Sequence, residues 1–226
     1  LPNVGGTFQL WKATKGGQPI AFGTREWTLF ILVCLVKSSI TMDSMYRIYP
    51  QKRYRKTLTI LERFAPKGTT ILDLGVRNPF SEVMEKEGYI VNNTQGEDLD
   101  LFPEKLADYT GEFVTALEIL EHLVNPFEVL QHLPAQRLLV TVPLRLWFAS
   151  AYRNDNDPRD CHYHEFEDWQ LDMLLEKAGW RIKYREKWTH PVGKLGIRPL
   201  LRYFIPRYYA VYAERIINNE YIVKKI

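Results

Sequence analysis

Three continuous apolar runs constrain the fold of this 226-residue chain more than any other feature. They are TTILDLG at 69–75, FVTALEIL at 113–120 and RLLVTVP at 137–143. Runs of this kind are typical of strands buried on both faces of a parallel sheet. Segments with a helical spacing of apolar residues alternate with them. The pattern predicts an α/β fold, a doubly wound and mostly parallel sheet with helices on both faces.

Residues 1–41 differ from the rest of the chain. They are rich in Gly and Lys without periodicity, and they include a ten-residue apolar run at 27–36. A bilayer span needs roughly 20 apolar residues, so this run is too short, and no signal-peptide cleavage site follows it. Met42 and Met45 come just before the first well-patterned helix. We expect the natural start at one of them and a single domain over 42–226; a weak membrane-surface anchor is the alternative.

Charge and cysteine content exclude some classes of function. The net charge of +3 is too small to indicate a nucleic-acid partner. The basic, aromatic segment 197–215 could face nucleic acid or a membrane surface, but the favoured interpretation is a sheet edge with its covering helix. Cys34 and Cys161 fit no metal or redox spacing, which favours a reducing, cytoplasmic location. We expect no nucleic-acid partner and no stable membrane insertion.

The turn after the first apolar run is the first candidate binding feature. Asp73 and Gly75 end the strand, and Pro79 marks the start of a helix. Such a glycine allows the backbone to approach a ligand, and the N–H groups of the helix point toward polar atoms. The G-x-G-x-x-G fingerprint is absent, which disfavours a nicotinamide dinucleotide. A plain strand–helix joint is the alternative.

A second candidate feature follows the second apolar run. Glu118, Glu121 and His122 lie just before the helix-start signal Asn125-Pro126. In open α/β sheets, ligands bind beyond the carboxyl ends of the strands. The E-x-x-E-H set, with His162 and His164 downstream, resembles a divalent-cation site, but backbone capping by Glu118 and an ordinary salt bridge of Glu121 are the favoured explanation. We expect no metal here.

The segment 144–166 interrupts the strand–helix alternation with aromatic, charged and turn-forming residues. A long insert in a compact domain is usually functional or disordered. His162 or His164 could act as a general base, because imidazole titrates near neutral pH. The alternative is that both histidines cap the following helix.

Taken together and in this order, ILDLG, E-x-L-E-H-L-x-N-P, the apolar run ending at Pro143 and the late HYHEF…LEKAGW segment resemble the class I S-adenosylmethionine-dependent methyltransferases. The chain is similar in particular to the small-molecule branch that includes the ubiquinone-biosynthesis-type O-methyltransferases. The match covers residues 51–216, and E-x-L-E-H-L-x-N-P is its most specific part. It implies a seven-stranded Rossmann-like sheet and S-adenosylmethionine as cofactor.

The resemblance also implies roles for individual positions. The residues implied to bind cofactor are Asp73, Leu74, Gly75, Val76, Asn78, Thr94, Gln95, Asp98, Leu117 and Glu118. Two departures weaken cofactor binding: Arg77 and Asn78 replace glycines of the turn, and Thr94 or Gln95 replaces the acid that holds the ribose. The second loss would cost roughly 1.5–3 kcal/mol.

The expected reaction is methyl transfer to an oxygen or nitrogen of a small-molecule or glycan-like acceptor. His122, His162 or His164 would take the acceptor's proton. The competing expectation is a non-catalytic binding protein with the same fold and a collapsed cofactor loop. The sequence does not indicate the acceptor or the oligomeric state.

Overall fold

The computed structural model describes residues 14–15, 18–19, 51–157, 160–191 and 196–216. The chain divides into two units, Leu1–Lys52 and Arg53–Ile226. The first contributes two short antiparallel strands, Thr14–Lys15 and Gln18–Pro19. The rest of the predicted leader, with Met42 and Met45, lies outside the described residues. Within the part of the chain that is described, no helix is both long and apolar enough to cross a membrane.

The second unit is built on a six-stranded sheet. Its strands are β1 (Thr70–Asp73), β2 (Ile90–Asn93), β3 (Phe113–Leu117), β4 (Arg137–Pro143), β5 (Trp180–Thr189) and β6 (Pro206–Arg215). The spatial order is β2-β1-β3-β4-β6-β5. Strands β1 to β4 are parallel to one another, whereas β6 is antiparallel to both β4 and β5. The three apolar runs of the sequence are confirmed as the central strands β1, β3 and β4.

Helices cover both faces of this sheet, as predicted. They are α1 (Gln51–Phe64), α2 (Pro79–Lys86), α3 (Pro126–His132), α4 (Asp168–Lys177) and α5 (Ile197–Leu201). Adjacent residues of β1 enter separate cores because side chains alternate across a strand. Leu72 belongs to the core under α3 and α4, and Ile71 to the core under α1 and α2.

The seventh strand implied by the resemblance is absent from the described residues. The segment between β2 and β3 instead forms a 3₁₀ helix, Pro103–Asp108. Pro103 lacks the N–H group that a ladder needs, and Pro103 and Leu106 are both buried, three residues apart. That spacing places two buried side chains on one face of a 3₁₀ helix, so a strand does not form and β2 ends the described sheet.

Two helices expose large apolar side chains. In α4, Trp169 and Met173 are about half exposed, while Leu171 and Leu175 are fully buried. Both pairs have the i, i+4 spacing of a helical face, so the spacing alone does not choose between them. Phe127 of α3 is also exposed.

Candidate functional site

The two candidate features meet at one edge of the sheet. β1 and β3 are parallel neighbours, with Asp73 paired to Thr115, so their carboxyl ends point the same way. The glycine turn follows β1, and Glu118 to His122 follow β3. This edge is where ligands bind in open α/β sheets.

The carboxylate of Asp73 is the centre of a closed hydrogen-bond network. It is 1% exposed and accepts from the hydroxyls of Thr115 at 2.6 Å and Ser81 at 3.2 Å. The amides of Asn78 and Asn93 donate to it at 3.2 and 3.1 Å. Burial raises the pKa of Asp73 despite these four bonds. We call these five residues the Asp73 network.

Gly75 turns the chain away from the sheet. Its φ of 98° lies in the left-handed region that favours glycine, and a Cβ there would lie 3.2 Å from Cδ1 of Ile119. The Gly75 N–H donates to Oγ1 of Thr94 at 2.8 Å. Thr94 is buried, and its hydroxyl holds this turn in place. Gly75 therefore needs to be glycine, and the hydroxyl of Thr94 is directed at the protein backbone.

The loop after Gly75, in which Arg77 and Asn78 replace glycines, is held by hydrogen bonds and an ion pair within the chain. Oδ1 of Asn78 accepts from the backbone N–H groups of Phe80 and Ser81, which caps the first turn of α2. Arg77 forms a bidentate ion pair with Glu85 on the surface. Most polar groups of the loop already have partners inside the chain.

The two aspartates in the segment after β2 differ in their surroundings. The carboxylate of Asp100 accepts from the backbone N–H groups of Val124 and Asn125 at 2.9 and 2.8 Å, and so anchors the start of α3. Asp98 and Gln95 are exposed. Of the predicted polar cofactor contacts in this segment, Gln95 and Asp98 thus have accessible side chains.

Glu118 ends β3 in an unusual conformation. It is the one described non-glycine residue with a positive φ, 57°. Such a conformation costs a non-glycine residue roughly 1–2 kcal/mol. Its carboxylate accepts from Oγ1 of Thr141 at 3.0 Å and pairs with Nη1 of Arg53 at 3.1 Å. The Arg53 guanidinium also lies over the rings of Tyr54 and Tyr208. Glu118 is thereby committed to a half-buried ion pair. The preceding Leu117 is partly buried against the core under α1 and α2.

Glu121, His122 and His162 form a second polar group, the imidazole cluster. One potential ligand atom from each residue lies within 4.8 Å of the others. Nδ1 of His122 lies 3.1 Å from the Cys161 carbonyl oxygen, and Nδ1 of His162 lies 2.8 Å from Oε1 of Glu165. Both partners only accept hydrogen bonds, so each Nδ1 carries the proton when the ring is neutral. Each Nε2 then has a free lone pair.

The acid of this cluster lacks a hydrogen-bond donor. Glu121 is 1% exposed, and its Oε2 has no partner among the described residues. Burial, and then the charge of Glu118, raises the pKa of Glu121 well above its ordinary value. Burial, and then His162, lowers the pKa of His122. The cluster is rich in acceptors and poor in donors.

The insert reaches the cluster through the main chain of Glu121. The backbone N–H groups of Tyr163 and His164 donate to the Glu121 carbonyl oxygen at 2.8 and 3.2 Å. This places His162 beside His122, with ring centroids 4.9 Å apart. His164 turns the other way, stacks on Phe166 and lies 3.3 Å from the Val124 carbonyl oxygen. Of the three predicted catalytic histidines, the structure brings two together.

A cavity of about 460 Å³ lies beside the insert. This volume is within the usual range for a small-molecule site. It is lined by Val124, Asn125, Pro126, Phe127, Tyr163, His164, Glu165, Phe166, Gln170 and Leu174. Glu165 is common to both, since this residue lines the cavity and its carboxylate holds His162.

Sequence reasoning missed two residues of this site. Glu165 follows His162 by three positions, and this H-x-x-E spacing was a usable signal. Arg53 lies 65 positions from its partner Glu118, and its basic character looked like the solvated face of α1. No local pattern indicates that pair.

Comparison with known proteins bears on the fold. No protein-family model and no curated protein matches the chain. Among solved structures, the 1,6-didemethyltoxoflavin-N1-methyltransferase of Burkholderia thailandensis superposes with a TM-score of 0.54 at 15% identity, covering 88% of this chain and 93% of that one. A SAM dependent methyltransferase from Archaeoglobus fulgidus gives a TM-score of 0.49 at 19% identity, over 75% and 99% of the two chains.

The fold is that of the class I S-adenosylmethionine-dependent methyltransferases. This confirms the fold expected from the sequence resemblance, with one strand fewer in the described sheet.

Proposed function

We propose that this protein is an S-adenosylmethionine-dependent methyltransferase acting on an oxygen or nitrogen of a small molecule. The observation that carries the proposal is the pair His122 and His162. Their free Nε2 atoms belong to a group at the carboxyl end of β3, at the same sheet edge as the Gly75 turn, in a methyltransferase fold. The B. thailandensis neighbour, solved with 1,6-didemethyltoxoflavin and S-adenosylhomocysteine, supports a small-molecule acceptor.

The turn after β1 fits the methionine end of the cofactor. Gly75 has the backbone conformation and the missing Cβ that a close approach requires. We assign Asp73, Leu74, Gly75, Val76 and Asn78 to this end. The remaining proposed contacts are Gln95 and Asp98 toward the ribose and adenine, with Leu117 and Glu118 beneath. Thr94 contributes indirectly, by holding the Gly75 N–H.

When bound, the cofactor supplies an electrophilic methyl group on a sulfonium. The residues of the chain then have two tasks, to orient the acceptor and to remove its proton. We assign the acceptor to the cavity beside the insert. Nε2 of His122 or His162 accepts the proton, and the Glu165 carboxylate fixes the orientation of the His162 ring. We assign His164, which lines the cavity, to contact with the acceptor.

Calorimetric titration with S-adenosylmethionine and S-adenosylhomocysteine tests the proposal, with a matched pair of variants. Gly75→Ala adds a Cβ 3.2 Å from Ile119 Cδ1, whereas Gly68→Ala meets nothing within 4 Å. Both glycines have a similar positive φ, 98° and 87°, so the backbone penalty is comparable. We expect wild type and Gly68→Ala to bind and Gly75→Ala to lose at least tenfold in affinity. Equal affinity in the two variants contradicts the assignment of the turn.

A non-catalytic binding protein is the second candidate. It is favoured by the closed Asp73 network and by the side-chain cap on the first turn of α2, which leave few polar groups of the loop for a cofactor. Wild-type protein that is folded by circular dichroism yet binds no cofactor at millimolar concentration would support this candidate and refute the enzyme.

A further inference from the structure

We propose that the protein binds the surface of an anionic lipid bilayer through five exposed side chains, which we call the apolar rim. They are Trp147, Ile197, Leu200, Tyr203 and Phe204, and each is more than half exposed. Ile197 at 79%, Phe204 at 75% and Trp147 at 74% are the three most exposed large apolar residues in the described part of the chain. Single exposed apolar residues are ordinary, but a group of them usually marks an interaction surface.

The two parts of the apolar rim leave the sheet at the same point. The Leu144 N–H donates to the Arg207 carbonyl oxygen at 2.6 Å, and Nη1 of Arg207 donates to the Leu144 carbonyl oxygen at 2.6 Å. Trp147 follows Leu144 by three residues, and Phe204 precedes Arg207 by three. Both parts therefore lie at the end of the sheet where β4 ends and β6 begins. Because β3 and β4 are parallel, this end also carries the candidate site.

A sheet edge with a covering helix does not describe the segment 197–215 in the structure. Strand β6 lies between β4 and β5, and α5 buries none of its five residues. Its helical hydrogen bonds continue beyond the last residue of α5, since the N–H groups of Phe204 and Ile205 donate to the Leu201 carbonyl oxygen. Short helices are marginal in water without tertiary packing. The exposed apolar side chains of this helical segment are available to a partner outside the described fold.

Trp147 belongs to a turn that is anchored in the core. Its neighbour Leu146 is only 2% exposed, and the Ala149 N–H donates to the Leu146 carbonyl oxygen at 2.9 Å. The ring of Phe148 meets that of Trp147 edge-on, with centroids 5.3 Å apart. The turn therefore holds the indole outward in a fixed place. Tryptophan is enriched where proteins meet the interface of a lipid bilayer.

The charges around the apolar rim select an anionic surface. The sequence has no acidic residue between Glu186 and Glu214, where Lys and Arg together occur five times, and none from 144 to 154. Arg198 is exposed, and neither Arg198 nor Arg202 forms an ion pair with another described residue. Arginines beside exposed aliphatic and aromatic side chains suit a surface of anionic headgroups over acyl chains.

The side chains of the apolar rim favour lipid over nucleic acid. Single-stranded nucleic acids bind through aromatic stacking and phosphate contacts, to which the aliphatic Ile197 and Leu200 contribute nothing. The same aliphatic side chains gain free energy when they enter the acyl-chain boundary of a bilayer. Because α5 has only five residues, the protein would lie on the surface without spanning the bilayer. This binding is independent of the proposed methyl transfer.

The test is co-sedimentation of the full chain with vesicles of phosphatidylcholine alone and of phosphatidylcholine mixed with phosphatidylglycerol. We expect roughly tenfold tighter binding to the anionic vesicles, which weakens as the salt concentration rises. Ile197→Ser should lose roughly tenfold in affinity, because it removes an inserted apolar side chain. Arg198→Gln and Arg202→Gln should each lose about fivefold, the contribution of one arginine near an anionic surface.

Ile90→Ser is the matched control. Ile90 is also an exposed isoleucine, 56% exposed, but it begins β2 and so lies at the opposite edge of the sheet. This variant should bind vesicles like wild type. Acyl chains that carry bromine should quench tryptophan fluorescence in wild type, and Trp147→Phe should remove most of that quenching. Circular dichroism checks that each variant is folded.

Four results would overturn the proposal. They are no binding to anionic vesicles, equal binding to both kinds of vesicle, equal affinity in Ile90→Ser and Ile197→Ser, and tighter binding to a single-stranded oligonucleotide than to the vesicles. A dimer that dissociates in Ile197→Ser, together with no vesicle binding, would assign the apolar rim to a second copy of the chain instead.

Discussion

The two polar groups at this edge of the sheet are opposites. In the Asp73 network, one buried carboxylate receives four hydrogen bonds from neighbouring side chains. In the imidazole cluster, a carboxylate with the same burial has one oxygen without a hydrogen-bond partner among the described residues, and its other oxygen lies 4.0 Å from Nε2 of His122. The first group is complete within the chain and holds a loop in place. The second keeps polar atoms that the described residues do not satisfy, which is more typical of a functional group than of a structural one.

The largest expected difference between the two groups comes from substituting a central residue of each one. Asp73→Ala removes the shared acceptor of four donors, of which the hydroxyls of Ser81 and Thr115 are buried, and we expect a loss of about 3–5 kcal/mol in the free energy of unfolding. His122→Ala removes one hydrogen bond from a partly exposed ring, and we expect about 1 kcal/mol or less. Urea denaturation of both variants measures this. Comparable losses would show that the imidazole cluster is as much a part of the framework as the Asp73 network.

Arg53→Ala tests the ion pair that holds the Glu118 carboxylate. It leaves the Glu118 carboxylate, 16% exposed, without its cation, and we expect a loss of about 2–3 kcal/mol. Arg77→Ala is the control, because its ion pair with Glu85 is solvent-exposed and should change the free energy of unfolding little. Thermal and urea unfolding compare the two. Similar small losses would mean that Glu118 does not depend on Arg53.

Glu121→Gln sharpens the contrast through its pH dependence. The groups that shift the Glu121 pKa are Glu118, Arg53 and Arg207, and the net effect, led by burial, is upward. A raised folded-state pKa means that stability is fully present below the ordinary glutamate pKa of about 4.3 and is lost as pH rises through the folded value. The variant should lack this pH-dependent loss and exceed wild type in stability at pH 7. Stability curves that run parallel from pH 4 to pH 8 would contradict it.

The smallest expected effect concerns the backbone of Glu118. Glycine ordinarily destabilises relative to alanine by roughly 0.5–1 kcal/mol within regular structure. At φ 57° the order reverses, so Glu118→Gly should be about 1 kcal/mol more stable than Glu118→Ala. Both variants lose the pair with Arg53, which leaves the backbone as the difference between them. Chemical denaturation of the two proteins measures it, and alanine being the more stable would remove the case for strain.

The central sheet was predictable because its signal is local. β1, β3 and β4 are continuous apolar runs, and Pro126 marked a helix start from the sequence alone. The missing seventh strand was less visible. A family likeness implies strands by their position in the chain. The Pro103–Asp108 helix instead follows from the missing N–H of Pro103 and from the burial of Pro103 and Leu106.

The candidate site was predictable as a list of residues and not as an arrangement. The sequence favoured His122, His162 and His164 equally. Two backbone hydrogen bonds to the Glu121 carbonyl oxygen turn the side chain of His162 inward and that of His164 outward. The segment is neither helix nor strand, so the sequence has no fixed period from which these directions could be predicted. The pair of Arg53 and Glu118 joins distant positions through tertiary packing, which no local pattern encodes.

The carbonyl oxygen of Glu121 accepts both amides of the insert, while the side chain of the same residue enters the imidazole cluster. The first contact belongs to the main chain, so no side-chain substitution at this position deletes it. A Glu121→Gln variant therefore changes the side chain inside the imidazole cluster and keeps both main-chain hydrogen bonds that hold the insert in place.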